Sequence, residues 1–135
     1  MSTATANLTE TNSVLAASGI LSISDVDSAA TFVAGTIAGT YGSVALQANG
    51  QWQYTASSAH NEFVAGTTYS DVFTVTSADG TTSTITVNIL GTNDAAVIST
   101  ATANLTETNA PLSTSGTLTI SDVDSAATFV AGTIA

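Results

Sequence analysis

Apolar and polar residues alternate along most of the first ninety positions. Phe73 and Val75 alternate with threonines, and Leu21 and Ile23 alternate with serines. A period of two is typical of strands that bury one face, and helical spacing is not sustained anywhere. The pattern predicts strands at about 4–10, 19–24, 31–37, 42–48, 51–56, 68–77 and 82–90.

Two dipeptides between these strands are strong turn signals. Asn49-Gly50 separates an apolar run from the alternating stretch around Trp52 and Tyr54, and Asp79-Gly80 precedes the last strand. About seven short strands joined by tight turns predict an all-β fold, an antiparallel Greek-key β-sandwich of the immunoglobulin-like kind. Trp52 and Tyr54 are predicted to be core aromatics.

The chain also repeats itself. Residues 3–38 align with 100–135 without a gap, at an offset of 97 residues, and 30 of the 36 positions are identical. We therefore expect one complete repeat at 1–99, with a linker at 91–99, followed by the first third of the next repeat at 100–135. That last stretch is too short to build a second core.

Composition narrows the possible partners. The chain has no Lys or Arg and ten Asp plus Glu, for a net charge of −10. Nucleic acids and anionic lipids attract basic surfaces, so neither nucleic-acid binding nor membrane insertion is expected. Cysteine is absent, which excludes disulfides. Internal cations are limited to His60 and the terminal amine.

The alternation of strand direction sorts the acidic residues to two ends of the sandwich, called here the bottom and top poles. If the first strand runs downward, Glu10 lies at the bottom, and the second strand climbs to Asp25 and Asp27. The acids expected at the bottom are Glu10, Asp71 and Asp94, and those expected at the top are Asp25, Asp27 and Asp79.

Stacked repeats would bring the bottom pole of one against the top pole of the next. The junction would then gather Glu10, Asp71, Asn93, Asp94, Asp122 and Asp124, and Glu107 repeats Glu10 in the second copy. Two carboxylates ~4 Å apart repel by roughly 4 kcal/mol at an effective dielectric near 20. A hard cation with six to eight oxygen ligands relieves this repulsion, which favours Ca²⁺ over Mg²⁺ or zinc. In Asp25-Val26-Asp27 both carboxylates are expected to point the same way, with Val26 turned inward.

Several motifs resemble a known family. Leu-Thr-Glu-Thr-Asn at 8–12, Ser-Gly-x-Leu-x-Ile-Ser-Asp-x-Asp at 18–27, Asn-Gly-x-Trp-x-Tyr at 49–54 and Gly-Thr-Asn-Asp-Ala at 91–95 resemble the VCBS repeat of giant bacterial surface adhesins. The order of acids is also similar to that of cadherin repeats, with Asp71 in place of their Asp-Arg-Glu motif. The resemblance implies a secreted protein of the bacterial cell surface and Ca²⁺ bound between consecutive domains.

Three functions follow as hypotheses. The first is a structural extender module of a secreted adhesin, in a tandem array that Ca²⁺ rigidifies, supporting cell adhesion and biofilm. The second is a carbohydrate- or surface-binding module, for which the aromatic candidates are Trp52, Tyr41, Tyr54 and Tyr69. Catalysis is not expected, because the single His60 lies in a polar loop without a nucleophile motif.

The third hypothesis is self-assembly. Residues 3–38 and 100–135 are near-interchangeable complements for the body between them, and the second copy carries Leu118, Ile120, Phe129 and Val130, which favour burial. The expected partners are therefore neighbouring repeats of the same polypeptide and, through 100–135, other copies of the chain in swapped dimers or head-to-tail fibres.

Overall fold

The computed structural model describes residues 1–135, and every regular element in it is a β-strand. One sheet has the order β1-β7-β6, a second has the order β2-β5-β4-β3, and a short pair, β8-β9, lies outside both. The strands are β1 (Ala4–Thr9), β2 (Ala16–Ile20), β3 (Gly35–Ala38), β4 (Gly42–Leu46), β5 (Gln51–Ala56), β6 (Thr68–Thr76), β7 (Thr82–Leu90), β8 (Val97–Ile98) and β9 (Ile120–Ser121). The predicted all-β sandwich of about seven strands is confirmed.

All pairings are antiparallel except the one between β1 and β7. Ala4 lies opposite Ile85 and Thr9 opposite Leu90, so the two strands run in the same direction. Both strands therefore end at the bottom pole, as the alternation of strand direction requires. Because the two strands are parallel neighbours, the segment that follows β1 lies beside the segment that follows β7.

Two strands differ from their predicted bounds by three residues or more. β2 begins three residues earlier than expected and ends at Ile20, and β3 covers only Gly35–Ala38. The apolar alternation there marks burial rather than pairing. Leu21 is buried beyond the end of β2, and Phe32 is buried on a single bridge to Ser77 of the opposite sheet.

Thirteen buried apolar residues from both sheets form one core. Trp52 and Tyr54 are among them, as predicted. Gly19 lies opposite Trp52, and a Cβ at Gly19 would stand 2.8 Å from the indole ring, so this position has to be small. The predicted turns at Gly50 and Gly80 are present, and both glycines have a φ of +90°, which favours glycine over other residues.

Residues 100–135 do not form a second sandwich. Their only regular element is β9, which pairs with β8. Residues 100–135 are called the tail below. Outside β9 the tail forms no regular element, and nearly all of its residues are exposed. No element of the structure is a helix that could cross a membrane.

Candidate metal centre at the bottom pole

Glu10 and the linker meet because β1 and β7 are parallel neighbours. The N–H of Glu10 donates to the carbonyl of Leu90 at 2.8 Å, which extends the strand pairing by one residue. The hydroxyl of Thr92 donates to Oε2 of Glu10 and lies 3.2 Å from the Glu10 carbonyl oxygen. These contacts hold a carboxylate that is only 2% exposed.

The tail brings a second set of acids to this pole. The short pairing of β8 with β9 folds the tail back on the linker, so that the turn Asp122–Ser125 faces Asp94. The N–H of Asp94 donates to Oδ2 of Asp124 at 3.1 Å. The structure thus brings together Glu10, Asp94, Asp122 and Asp124, four of the residues predicted to form the junction.

Three carboxylate oxygens in this group are buried without any hydrogen-bond partner. They are Oε1 of Glu10, Oδ2 of Asp94 and Oδ1 of Asp124. A buried acceptor left unpaired costs about 1–3 kcal/mol, and more when it carries charge. Each of the three residues also has its other oxygen, or its backbone, already fixed by the fold. The unpartnered oxygens are therefore fixed in position and could each donate an electron pair to a cation.

The electrostatics point the same way. Burial raises the pKa of Asp94, and the nearby charges of Glu10, Asp124 and Asp122 raise it further. Asp122 behaves in the opposite way: hydrogen bonds, first from the Ser125 hydroxyl, lower its pKa. A carboxyl whose ionisation is opposed by three other acids lies where a cation would be most strongly attracted.

The turn that carries Asp122 is closed by its own hydrogen bonds. Oδ1 of Asp122 accepts the N–H groups of Asp124 and Ser125, at 3.2 and 2.9 Å, and Oδ2 accepts the Ser125 hydroxyl at 2.7 Å. This is the usual local hydrogen bonding of Asp in turns. Both oxygens of Asp122 are thus occupied, so it serves the site by placing Asp124 and by adding charge.

Asp71, predicted as a further carboxylate of the junction, is engaged within its own domain. Its two oxygens accept the N–H groups of Thr40 and Tyr41 at 2.7 and 2.8 Å. Asp71 is buried, and these two bonds cap the turn between β3 and β4. Strand direction predicts that Asp71 lies near the bottom pole. Strand direction does not predict where the side chain points, and in the structure it points between the sheets.

Two other predicted ligands contribute less. The side-chain amide of Asn93 donates to the carbonyl of Asp94 at 2.9 Å, which stiffens the linker and leaves the amide oxygen of Asn93 free. Glu107 is exposed in the tail, away from the cluster of Glu10, Asp94 and Asp124. Thr92, which was not singled out from the sequence, holds Glu10 in place; its only sequence signal is its position beside Asn93-Asp94.

The top pole repeats the same turn. Oδ1 of Asp25 accepts the N–H groups of Asp27 and Ser28, and these bonds, with that of the Asp27 N–H the strongest, lower the pKa of Asp25 to about 2. The Ser77 hydroxyl donates to Asp79 and lowers its pKa, against the opposing charge of Asp25. The predicted inward position of Val26 is wrong, since its side chain is fully exposed.

The acids of neither pole form a closed ligand shell by themselves. No group of three or more His, Cys, Asp or Glu side chains has the spacing of an assembled metal site. The chemistry of the donors nevertheless fits a hard cation, because all three unpartnered atoms are carboxylate oxygens, supplied by the first domain, the linker and the tail.

Comparison with known proteins identifies the fold. Residues 1–91 match the family model of the bacterial cadherin-like domain, which is two thirds of the chain. The chain belongs to the bacterial cadherin-like domain family. No curated protein matches it significantly.

Membership of the bacterial cadherin-like family settles the coarse class of function. Domains of this family are structural, non-enzymatic modules, typically of the extracellular surface, which suggests a repeat module of the adhesin type. The narrower resemblance to VCBS repeats stays a prediction. The aromatic residues proposed for a sugar-binding surface give that alternative no support, because Trp52 and Tyr54 are buried and Tyr41 packs edge-on against Phe63 and Tyr69.

Proposed function

We propose that this chain is an extender module of a secreted bacterial adhesin, one unit of a row of cadherin-like domains on the cell surface. In this proposal Ca²⁺ binds at each junction and stiffens the row, which projects an adhesive domain away from the cell and supports adhesion and biofilm formation. The observation that carries it is the set of three buried, unpartnered carboxylate oxygens of Glu10, Asp94 and Asp124.

These three residues come from three successive parts of the array. Glu10 lies at the end of β1, Asp94 lies in the linker, and Asp124 lies in the following repeat. A ligand held by all three would fix the direction in which one domain follows the next. When bound, Ca²⁺ would supply positive charge and a preference for many oxygen ligands.

The choice of ion rests on the donors. Zinc prefers Cys and His ligands, and the chain has no cysteine. Its one histidine is bonded to Glu62 and to the Tyr41 carbonyl. Mg²⁺ binds through few carboxylates and keeps several waters, whereas this pole offers three carboxylates together with the Asn93 amide oxygen and the backbone carbonyls of the linker.

The expected affinity suits an extracellular setting. Extracellular calcium modules bind at ~10⁻⁴–10⁻³ M, so the site would fill outside cells and stay empty in the cytoplasm. A tenfold excess of Ca²⁺ over its dissociation constant stabilises the folded state by about 1.4 kcal/mol. For a domain of this size, that corresponds to a rise in melting temperature of roughly 7 °C.

The test is thermal unfolding followed by circular dichroism, in EDTA and in a Ca²⁺ series up to ~5 mM. We expect the midpoint to rise with Ca²⁺ by roughly the amount above and to rise less with Mg²⁺. Isothermal titration calorimetry in the same buffer gives the dissociation constant. Identical midpoints in EDTA and in Ca²⁺, together with no heat of binding, would remove calcium from the proposal.

A further inference from the structure

β6 is a long strand whose second edge has no partner strand. It lies at the end of its sheet, and its nine residues make it the longest of the four edge strands in the two main sheets. The N–H of Val33 donates to the carbonyl of Thr76, from the side of β6 opposite β7. Because backbone groups alternate in direction along a strand, the N–H and carbonyl groups of Ser70, Val72 and Thr74 also point away from β7. These six groups have no backbone partner, since β7 is the only strand that pairs with β6.

The edge of β6 lacks the features that usually keep strand edges apart. Proteins protect such edges with Lys, Pro, a bulge or a short strand. β6 contains no Lys or Pro, and its pairing with β7 is continuous over all nine residues. Its only charged residue, Asp71, is buried, whereas Val72 is 62% exposed and Ser70 and Thr74 are exposed beside it. The edge therefore has no exposed charge and is suited to pairing with another strand.

We infer that β6 pairs with β6 of a second copy of this chain, in an antiparallel arrangement about a two-fold axis at Val72. A two-fold axis brings the same edge of both copies together. Val72 then lies opposite Val72 of the other copy, and Ser70 lies opposite Thr74. All six unpaired backbone groups of each copy gain partners, and the two sheets join into one of six strands, in the order β1-β7-β6-β6-β7-β1.

The residues next to Val72 select this register over its neighbours. An axis at Asp71 would place two Asp71 residues directly opposite each other, which is destabilising for like charges. An axis at Phe73 would pair Ser70 with Thr76, whose carbonyl already accepts the N–H of Val33. An axis at Val72 avoids both problems, because Asp71 then lies opposite Phe73.

The side chains on the outer face also fit across this axis. The Ser70 hydroxyl donates to Asn88 of β7 at 2.6 Å, and the Asn88 amide donates to Asn7 of β1 at 3.0 Å. This row of hydrogen bonds crosses the sheet and ends at Ser70, whose oxygen can still accept a hydrogen bond. The Thr74 hydroxyl of the second copy would supply it, and cross-strand pairs of Thr and Ser are stabilising. Val72 packs against its counterpart, which removes both side chains from water.

The pairing of two single chains is expected to be weak. Contact over residues 70–74 covers less area than the ~1,200 Å² of a small stable interface, so a dissociation constant of roughly 0.1–1 mM is expected. The edge runs between the two poles, so the pairing leaves the junctions between successive domains accessible. In the row of domains proposed above, several such contacts would add to one another. Rows joined in this way run in opposite directions, as rows from two facing cells do. Only this last step rests on the proposed function.

The first test adds a charge at the axis and, as a control, one strand away from it. Val72→Glu would place two like charges directly opposite each other. Thr86→Glu makes the same addition on the same face, at the residue of β7 that lies opposite Val72. Both are compared with the unaltered chain by sedimentation equilibrium from ~10 µM to ~1 mM protein. The buffer contains EDTA, so that the result is independent of calcium, and about 0.15 M NaCl to screen the net charge.

We expect the mass of the unaltered chain and of Thr86→Glu to rise toward twice the monomer value at the highest concentration. Val72→Glu should remain monomeric, with a circular dichroism spectrum at ~10 µM like that of the unaltered chain. If all three proteins stay monomeric, the edge does not pair with a second copy. If all three associate equally, another surface is responsible. Either result overturns the inference.

The second test measures the register by disulfide formation, which is clean because the chain has no cysteine. With the axis at Val72, the Cα atoms of the two residues 72 lie ~5.5 Å apart, within the range for a disulfide. The two residues 74 are separated by four positions along the strands, or ~14 Å. Val72→Cys should therefore form disulfide-linked dimers at least tenfold faster than Thr74→Cys under a mild oxidant. Equal rates, or a faster reaction of Thr74→Cys, would contradict the proposed pairing.

Discussion

The turn at Asp25–Ser28 and the turn at Asp122–Ser125 have the same sequence and the same internal hydrogen bonds, but different surroundings. Val26 is 103% exposed, whereas its repeat Val123 is 56% exposed. Asp27 is exposed, whereas its repeat Asp124 is half-buried and accepts the N–H of Asp94. The turn therefore forms by itself, and the neighbouring domain is what converts it into a candidate site.

The same contrast separates two kinds of acid at the bottom pole. Asp71 is satisfied completely by two backbone N–H groups of its own domain. Glu10 and Asp94 each retain a buried oxygen with no partner. The first kind has all its hydrogen bonds whether or not a cation is present, whereas the second kind keeps one unsatisfied buried oxygen unless a cation binds. Substitutions at matched positions can separate the two.

The largest effect is expected at Asp71. In Asp71→Asn, the amide nitrogen cannot accept a hydrogen bond, so one of the N–H groups of Thr40 and Tyr41 is left without a partner. A loss of roughly 2–3 kcal/mol in the free energy of unfolding is expected. Urea denaturation should give the same loss in EDTA and in Ca²⁺. A loss confined to the Ca²⁺ samples would instead place Asp71 at the cation site.

A smaller effect is expected at Asp124 and its counterpart in the first repeat, Asp27. This pair is the sharpest test of the contrast between the two turns. Asp124→Asn removes one of the three unpartnered carboxylate oxygens, so it should abolish most of the stabilisation by Ca²⁺, about 1.4 kcal/mol at tenfold excess. Asp27→Asn is the matched control, since it makes the same chemical change in the same turn sequence at the free top pole.

The two variants are compared by their melting temperatures in EDTA and in ~5 mM Ca²⁺. In EDTA, Asp124→Asn should be at least as stable as the unaltered chain, because it removes a charge that opposes the ionisation of Asp94. If the two variants respond to Ca²⁺ equally, the surroundings of the two turns do not matter, and the contrast drawn above fails.

Alternation and turn signals were enough to predict the strands, and strand direction was enough to predict which pole each acid occupies. These signals do not predict the direction in which a side chain near a pole points. That is why Asp71 was assigned to the junction although it caps the turn between β3 and β4. Val26 was expected to turn inward on the assumption of an extended strand, but the bonds from Asp27 and Ser28 to Asp25 close a turn there instead.

β3 shows a second limit of the sequence pattern. Apolar residues near Phe32 look like a strand because they are buried, yet the segment crosses between the sheets. The N–H of Phe32 donates to Ala48, in the turn between β4 and β5, and that of Val33 donates to Thr76 of β6 in the other sheet. Burial is encoded locally by residue type, whereas pairing depends on which strand lies beside the segment in the folded chain.

The smallest expected effect concerns Glu62, an acid at the bottom pole that has a cation of its own. Nδ1 of His60 lies 2.9 Å from Glu62, and Nε2 lies 2.7 Å from the Tyr41 carbonyl oxygen. A neutral imidazole can donate from only one nitrogen, so the protonated ring satisfies both acceptors. Burial opposes the charge, but these bonds and the charges of Glu62 and Asp71 raise the pKa of His60 overall.

A histidine whose pKa is raised by folding stabilises the protein fully below its unfolded pKa, near 6.5, and this contribution is lost as the pH rises through the folded pKa. The unaltered chain should therefore lose roughly 0.5–1 kcal/mol between pH 6 and pH 8.5. His60→Gln should show a flat profile over the same range, measured by urea denaturation in EDTA. Glu62→Gln is the control that keeps the ring, and it should reduce the pH dependence without removing it, because the Tyr41 carbonyl remains. A profile for the unaltered chain as flat as that of His60→Gln would show that the ring is neutral in the folded state, so that the acids at this pole have no internal cation.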